Sequence, residues 1–231
     1  ELFPAPRWRG EDTTGKHVLV WTEQGVGDEI LLASMLPDLI ARARKVTVLC
    51  SSRLIDIFRR SFPSARIEER REPLPKAAID PRIDFQMSFA DLGAAFRPTS
   101  SAFPMRPSFL AANGARRDAL RSKYAAGHPG TALVGLCWSS LKNYEIGWLK
   151  SIDLLSWAPI LKTPAITFVS LQYGDRTVEL GRVRERLGVD IVSDPEIDPL
   201  RDMDGFAAQT AAMDLVISIS NTTVHTAGAL G

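Results

Sequence analysis

The chain has 231 residues, enough for two modest domains, and its 45% hydrophobic and 24% charged residues are ordinary for a soluble globular protein. A net charge of +1 gives no electrostatic reason to expect nucleic acid or an anionic membrane as partner. No apolar run approaches the roughly 20 residues of a membrane span, and nothing at the N-terminus resembles a secretory signal. We therefore expect a cytoplasmic protein without a transmembrane segment.

Apolar runs alternate with helix-like segments in the first half of the chain, which is typical of a parallel sheet covered by helices. Predicted strands are 17–22, 45–50, 65–68 and 85–88, and predicted helices are 28–43, 53–61, 91–96 and 116–126. Pro37 removes one backbone donor inside the first helix and predicts a kink or an early break there. Residues 69–81 are charged and proline-bearing, and they are predicted to form a surface loop.

The run Gly127-His128-Pro129-Gly130 then interrupts the chain and is a candidate hinge. It divides a predicted N-terminal domain, 1–126, from a predicted C-terminal domain, 127–231. The second half repeats the pattern, with strands at 131–138, 165–171, 190–192 and 215–219, and helices at 154–161, 176–187, 206–213 and 222–230. The last of these strands is apolar enough to be buried in a parallel sheet. A doubly wound domain normally continues with another strand, so we expect the second lobe to be truncated at its C-terminus.

Cysteine and acidic residues give no metal-binding pattern. Cys50 and Cys137 each end an apolar run, and we predict buried free thiols rather than a disulfide or a metal pair. The three histidines are scattered, which argues against structural zinc. Asp202-Met203-Asp204 precedes a predicted helix, where acids are favourable without any metal. We expect neither a metal nor a cofactor.

The turn after the first predicted strand contains Gly25, Gly27 and Asp28. It resembles half of a dinucleotide fingerprint, but Ile30 takes the place of the third glycine, and serines stand where an acid would bind a ribose. This disfavours a nicotinamide or flavin cofactor. What remains is a turn that lets the backbone approach a ligand and presents a carboxylate at a helix start. Alternatively, Asp28 is simply the helix N-cap, worth about 1 kcal/mol.

A second polar motif follows the strand 215–219. Ser220, Asn221, Thr222 and Thr223 bring short polar side chains to the start of the last helix, with His225 one turn further on. Unpaired amides and the positive end of the helix dipole suit such a position to a phosphate. The alternative is a well-capped helix whose histidine faces a neighbouring element.

Polar residues also follow two other predicted strands of the second half. Ser139 and Gln172 come where these strands end, and open α/β sheets bind ligands at the carboxyl edge. Lys142 or Lys150 would neutralise a diphosphate as a mobile point charge, and Gln172 would contact a base or a ribose. The alternative for the lysines is an ordinary exposed surface position.

Four segments in this order resemble a known family: 23–28, 134–139, 168–174 and 214–231. The chain is similar, over nearly its whole length, to the glycosyltransferase-like domain that follows tetratricopeptide repeats in bacteria, related to the heptosyltransferases of glycosyltransferase family 9. The resemblance implies an α/β protein of GT-B architecture: two Rossmann-like lobes, parallel sheets with helices on both faces, and an active site in the cleft. Asp28 then corresponds to the proposed base, and the nucleotide lies at Ser220 through His225. Heptosyltransferases usually carry an acidic residue at the position of Ser220, so the donor stays open.

The function that the resemblance implies is an inverting, metal-independent transfer of sugar from a nucleoside diphosphate sugar. The acceptor is a hydroxyl of a glycan, a lipid-linked molecule or a protein, and tetratricopeptide repeats are expected upstream. One alternative is a non-catalytic nucleotide-sugar-binding or scaffold module attached to such repeats. Another is a sugar-nucleotide epimerase or hydrolase, which would turn over the donor without any acceptor.

Overall fold

A computed structural model describes residues 3–140 and 149–231 of the chain. The chain divides into two compact units, Glu1–Ala111 with Ala229–Gly231, and Ala112–Gly228. Each unit contains a four-stranded parallel sheet with helices packed around it. The predicted α/β class, with two separate parallel sheets, is confirmed.

The first unit is built on a sheet of strand order β3-β2-β1-β4. Its strands are β1 (His17–Trp21), β2 (Lys45–Cys50), β3 (Arg66–Glu69) and β4 (Phe85–Ser88). Its helices are α1 (Val26–Leu32), α2 (Leu36–Arg42), α3 (Ile55–Ser61) and α4 (Asp91–Phe96). The predicted strands agree with these bounds to within a residue at each end. Only short 3-10 turns interrupt the connections, including one at Lys76–Ala78 within the predicted surface loop.

The predicted break in the first helix is confirmed, and it precedes Pro37. A 3-10 turn at Ala33–Met35 separates α1 from α2, and Pro37 lies in the first turn of α2. A proline is tolerated in a first turn because that amide has no helical acceptor in any case. The chain thus keeps two short helices over the stretch predicted as one long helix.

His17 begins β1 and is a buried histidine, only 2% exposed. Its Nε2 atom lies 3.0 Å from the Thr47 hydroxyl on β2. Burial lowers the pKa of His17 below its ordinary value of 6.5, and the nearby Lys45 charge acts in the same direction. The folded protein therefore favours the neutral imidazole.

This burial predicts that acid destabilises the first unit. Below the ordinary pKa the unfolded chain takes up a proton at His17 that the folded chain resists, so stability falls as the pH falls through 6.5. The loss is at most about 1.4 kcal/mol per pH unit. Urea unfolding between about pH 7.5 and pH 5.5 measures it, and His17→Gln is expected to flatten that part of the profile. An equal slope in both proteins would show that another group carries the dependence.

The second unit is built on a sheet of strand order β7-β6-β5-β8. Its strands are β5 (Ala132–Cys137), β6 (Ile166–Ser170), β7 (Ile191–Val192) and β8 (Leu215–Ser218). Its helices are α5 (Gly114–Ala125), α6 (Ala158–Leu161), α7 (Thr177–Leu187), α8 (Met203–Ala211) and α9 (Thr222–Leu230). The last residues of α9, from Ala229, belong to the first unit.

Helix α5 lies in the second unit, whereas the boundary predicted between residues 126 and 127 assigned it to the first. Its Leu120 and Tyr124 side chains are buried in a cluster with residues of the second sheet and its helices: Leu133, Val169, Ala208 and Ala212. The Tyr124 hydroxyl also donates a 2.7 Å hydrogen bond to the buried Asp194 carboxylate. The Gly127–Gly130 run therefore links α5 to β5 inside one unit, and the division falls at Ala111–Ala112 instead.

Strand β8 is less buried than its sequence predicted. In the described part of the chain it pairs only with β5 and forms one edge of the sheet. Leu215 is 56% exposed, and Val216 and Ile217 are partly exposed. The prediction that this strand is buried was wrong, because continuous apolar character does not reveal whether a strand has one neighbour or two.

Cys50 and Cys137 are buried free thiols, as predicted. Asp202 is the N-cap of α8: its carboxylate accepts a 2.7 Å hydrogen bond from the Gly205 amide and pairs with Arg116 at 2.6 Å. The interpretation of this acid as part of a helix start is confirmed. Across residues 3–140 and 149–231, no three His, Cys, Asp or Glu side chains are grouped so as to hold a metal ion. None of the helices described there combines the length and apolar character of a membrane span.

Candidate functional site

The carboxyl edge of the second sheet brings together the polar residues that follow β5, β6 and β8. The three strands are parallel, with Leu136 beside Ser170 and Cys137 beside Ser218 in the register. Since the carboxyl ends of parallel strands meet at one edge, Ser139, Gln172 and Ser220 follow on adjacent loops. This edge is where open α/β sheets bind ligands.

Gln172 ties two of these loops together. Its Oε1 atom accepts hydrogen bonds from the amides of Trp138 at 3.0 Å and Ser139 at 2.9 Å, and its Nε2 atom donates to the Ser139 carbonyl at 3.0 Å. The residue is only 8% exposed. Its side-chain amide is thus committed to the backbone, and a contact with a base or a ribose would have to break these bonds.

Asn221 organises the start of α9. Its Oδ1 atom accepts a 2.9 Å hydrogen bond from the Thr223 amide, and its Nδ2 atom lies 3.0 Å from the Cys137 sulfur on β5. Thr223 is itself buried. The Asn221 side chain therefore caps the helix and attaches it to the sheet, which is the alternative that the sequence left open for this motif.

The other predicted residues of this motif are exposed or half-buried: Ser220, Thr222 and His225. An α-helix leaves the amides of its first turn without helical acceptors, and Asn221 satisfies the amide of Thr223. Free amides of this kind, together with the positive end of the helix dipole, are a common position for binding an anion.

Ser139 and Lys150 border the same edge. Ser139 is 8% exposed, and its hydroxyl has no hydrogen-bond partner among the described residues. The Ser140 amide donates a 3.0 Å hydrogen bond to the Ser151 hydroxyl, which fixes the segment next to Lys150. Lys150 is exposed. Lys142 lies outside the described residues.

Arg176 is a residue of this edge that the sequence analysis missed. Its Nε atom donates to the Tyr173 carbonyl at 3.3 Å, and its Nη1 atom pairs with Glu179 at 3.2 Å. Its Nη2 atom is buried and lacks a partner within the described part of the chain. The available signal was a basic residue in the strand-to-helix turn after β6, on the edge that already carried Gln172.

The turn after β1 presents Asp28 in the first unit. Helix α1 begins at Val26 with Gly25 as its N-cap, so the interpretation of Asp28 as the N-cap was wrong. Asp28 lies in the first turn of the helix and is exposed. Gly25 has φ −76° and ψ 165°, a conformation open to any residue, and both Gly25 and Gly27 are half-buried.

Glu29 is the buried carboxylate of this turn and was also missed. It is 3% exposed, and its Oε2 atom accepts a 2.9 Å hydrogen bond from the Ser51 amide after β2. Burial raises the pKa of Glu29, while the Ser51 hydrogen bond opposes that rise. The available sequence signal was helical spacing, because Glu29 stands one turn before the apolar residue Ala33.

Two parallel four-stranded sheets with helices around them form an α/β fold that matches the GT-B glycosyltransferases. A family 9 glycosyltransferase from Veillonella parvula superimposes with a TM-score of 0.66 at 12% identity, over 96% of this chain and 81% of that one. The ADP-heptose LPS heptosyltransferase II of E. coli gives 0.60 at 12% identity, over 92% and 82%. E. coli heptosyltransferase WaaC, solved with ADP-2-deoxy-2-fluoro heptose, gives 0.55 at 10% identity, over 92% and 85%.

Among curated proteins, the chain is similar to the protein FlbA of Caulobacter vibrioides. The two are 36% identical over 241 residues, which cover 99% of this chain and 40% of FlbA. The chain therefore spans less than half the length of that relative. No protein-family model matches the chain.

Proposed function

We propose that the chain is the glycosyltransferase part of an enzyme that moves a sugar from a nucleoside diphosphate sugar to an acceptor hydroxyl, with inversion and without a resident metal. The observation that carries this proposal is the convergence of Ser139, Gln172 and Asn221 at the carboxyl edge of the second sheet. The GT-B fold gives it context, although fold alone does not dictate activity.

The donor diphosphate is proposed to bind at the start of α9. The helix amides that Asn221 does not satisfy would receive the phosphate oxygens, and the exposed side chain of Ser220 and the half-buried side chain of Thr222 lie beside them. Lys150 would add a mobile positive charge. Negative charge grows on the diphosphate as the glycosidic bond breaks, so donors that are already fixed stabilise the transition state.

Asp28 is the proposed general base. In the reaction the acceptor oxygen forms a bond to the anomeric carbon, the bond from that carbon to the diphosphate breaks, and Asp28 takes the hydroxyl proton. An exposed carboxylate suits this role because it is open to a substrate. Inversion follows from a single displacement at the anomeric carbon.

Binding and turnover test the proposal together. Calorimetric titration with ADP, GDP and UDP, each compared with its nucleoside, is expected to show binding of at least one diphosphate and much weaker binding of its nucleoside. Release of that diphosphate from the corresponding sugar nucleotides is then measured with and without saccharide, lipid-linked saccharide and peptide acceptors. Acceptor-dependent release is expected, and release that no acceptor stimulates would contradict transfer.

A nucleotide-binding or scaffold module is the second candidate function. It is favoured by the commitment of Gln172, Asn221 and Thr223 to contacts within the protein. The same titration separates the candidates, because a scaffold binds none of the diphosphates and a binding module binds one without ever releasing it from a sugar donor. The acceptor of the sugar, and the presence of tetratricopeptide repeats in the complete protein, are likewise part of what we propose; the fold does not show them.

A further inference from the structure

The turn between β1 and α1 is held at both ends by contacts with neighbouring strands. At its start, the Thr22 amide donates to the Leu49 carbonyl at 3.2 Å, and the Arg70 guanidinium donates to the Thr22 carbonyl. At its end, the Ser51 amide donates to Glu29 at 2.9 Å. Two side-chain contacts therefore hold the turn: Glu29 with Ser51, and Arg70 with Thr22.

Asp28 lies between Thr22 and Glu29 in this turn, and its own side chain does not hold it in place. Among the residues described, its carboxylate makes no hydrogen bond or ion pair, and its neighbours Glu23 and Gln24 are exposed as well. The position of Asp28 is therefore set by the backbone of the turn. Glu29 adjoins it in α1, where its amide donates to the Gly25 carbonyl at 3.0 Å.

From this arrangement we infer that Glu29 is a positioning residue for the reaction proposed above: by accepting the Ser51 amide, it fixes the turn that presents Asp28. The inference rests on the proposed function for its catalytic consequence. Its structural part, that Glu29 holds the turn, stands on the hydrogen bond and the burial alone. Such a role matters because a reacting group displaced by about 1 Å can lose about 100-fold in rate.

The hydrogen bond to Ser51, and not the charge of Glu29, is what this position contributes to the turn. Burial raises the pKa of Glu29, so its ionised form costs stability above the ordinary value of 4.5. Arg70 and Arg53 attract the carboxylate and limit this cost. Burial raises the pKa of the Cys50 thiol, and the Glu29 charge acts in the same direction. A glutamine would keep an acceptor for the Ser51 amide without that cost.

Three substitutions of Glu29 separate the effect of its side-chain length from the effect of its charge. Glu29→Gln keeps an acceptor oxygen at the same distance, Glu29→Asp keeps the charge but is one methylene too short, and Glu29→Ala loses both. We expect Glu29→Gln to resemble the wild type. Glu29→Asp and Glu29→Ala are expected to speed amide hydrogen exchange in residues 23–28 and to lower kcat by about 10- to 100-fold, with the KM for the donor unchanged.

Asp84→Ala is the matched control. The Asp84 carboxylate accepts a 2.8 Å hydrogen bond from the His17 amide, at the amino end of the same strand β1. Its loss is expected to lower the resistance to urea but to leave both the exchange of residues 23–28 and kcat at the wild-type level. A control that behaves like Glu29→Ala would reduce Glu29 to an ordinary stabilising residue.

The outcomes remain separable from those of the proposed function. The inference is wrong if Glu29→Asp has the amide exchange and kcat of the wild type while Glu29→Gln is impaired. The charge of Glu29, and not the length of its side chain, would then matter. If the wild type transfers no sugar, the proposed function fails, yet the exchange comparison still decides whether Glu29 holds the turn. Wild-type exchange in both Glu29→Asp and Glu29→Ala would overturn the inference on its own.

Discussion

Asp28→Asn is expected to reduce sugar transfer by about 100- to 10,000-fold, the usual contribution of a general base. The asparagine amide keeps the size of the side chain but cannot take the acceptor proton. Asp28 is exposed in the first turn of α1, so the fold should tolerate the change. Acceptor-dependent release of the nucleoside diphosphate measures the effect, and calorimetry should find the diphosphate affinity unchanged because Asp28 has no part in the diphosphate site proposed at the start of α9.

Asp56→Asn is the matched control for this change. Asp56 is likewise an exposed carboxylate in the first turn of a helix, α3, which follows the neighbouring strand β2. It has no role in the proposed reaction, so its transfer rate should equal that of the wild type. Full transfer by Asp28→Asn, or an equal loss in both variants, would remove Asp28 from the mechanism.

Gln172→Leu is expected to damage both the stability of the second unit and nucleotide binding. The leucine leaves the amides of Trp138 and Ser139 without their acceptor, at about 1 to 3 kcal/mol each, so the loss is about 2 to 6 kcal/mol. The loops after β5 and β6 then lose their common tie. We expect nucleoside diphosphate affinity to fall by about tenfold or more, which is about 1.4 kcal/mol.

Gln209→Leu separates stability from binding. Gln209 is also a buried glutamine of the second unit, but it lies on α8, where its Nε2 atom donates to the Tyr124 hydroxyl at 3.0 Å. It should lower the free energy of urea unfolding and keep nucleotide affinity. The titrations are made well below the unfolding transition of each variant. Wild-type affinity in Gln172→Leu would show that this edge does not bind the nucleotide.

Regular elements were predictable wherever local chemistry decides them. The bounds of β2 and α9 follow from a short apolar run and from small polar residues before a helix, signals that act within a few residues. Pro37 predicted the division of the first helix in the same way. By contrast, the place of α5 depends on Leu120 and Tyr124 finding partners far along the chain, which no local pattern records.

The candidate site was predictable only as a set of loops. The sequence placed Ser139, Gln172 and Asn221 at strand ends, but a polar side chain there can bind a ligand or the backbone with the same atoms. For Gln172 the backbone engages both the oxygen and the nitrogen of the side-chain amide, and this competition is invisible without coordinates. Glu29 was not predicted because a glutamate is rarely buried, and its burial follows from a contact with Ser51 that no local pattern records.

The central claim is that a nucleoside diphosphate binds at the start of α9, and a crystal structure with such a nucleotide soaked in tests it most directly. We predict phosphate oxygens within hydrogen-bond distance of the amides of Thr222 and Val224, with Asn221 still capping the helix and bound to Cys137. A nucleotide bound elsewhere in the protein, or a helix start that stays covered by side chains at saturating nucleotide, would contradict the account.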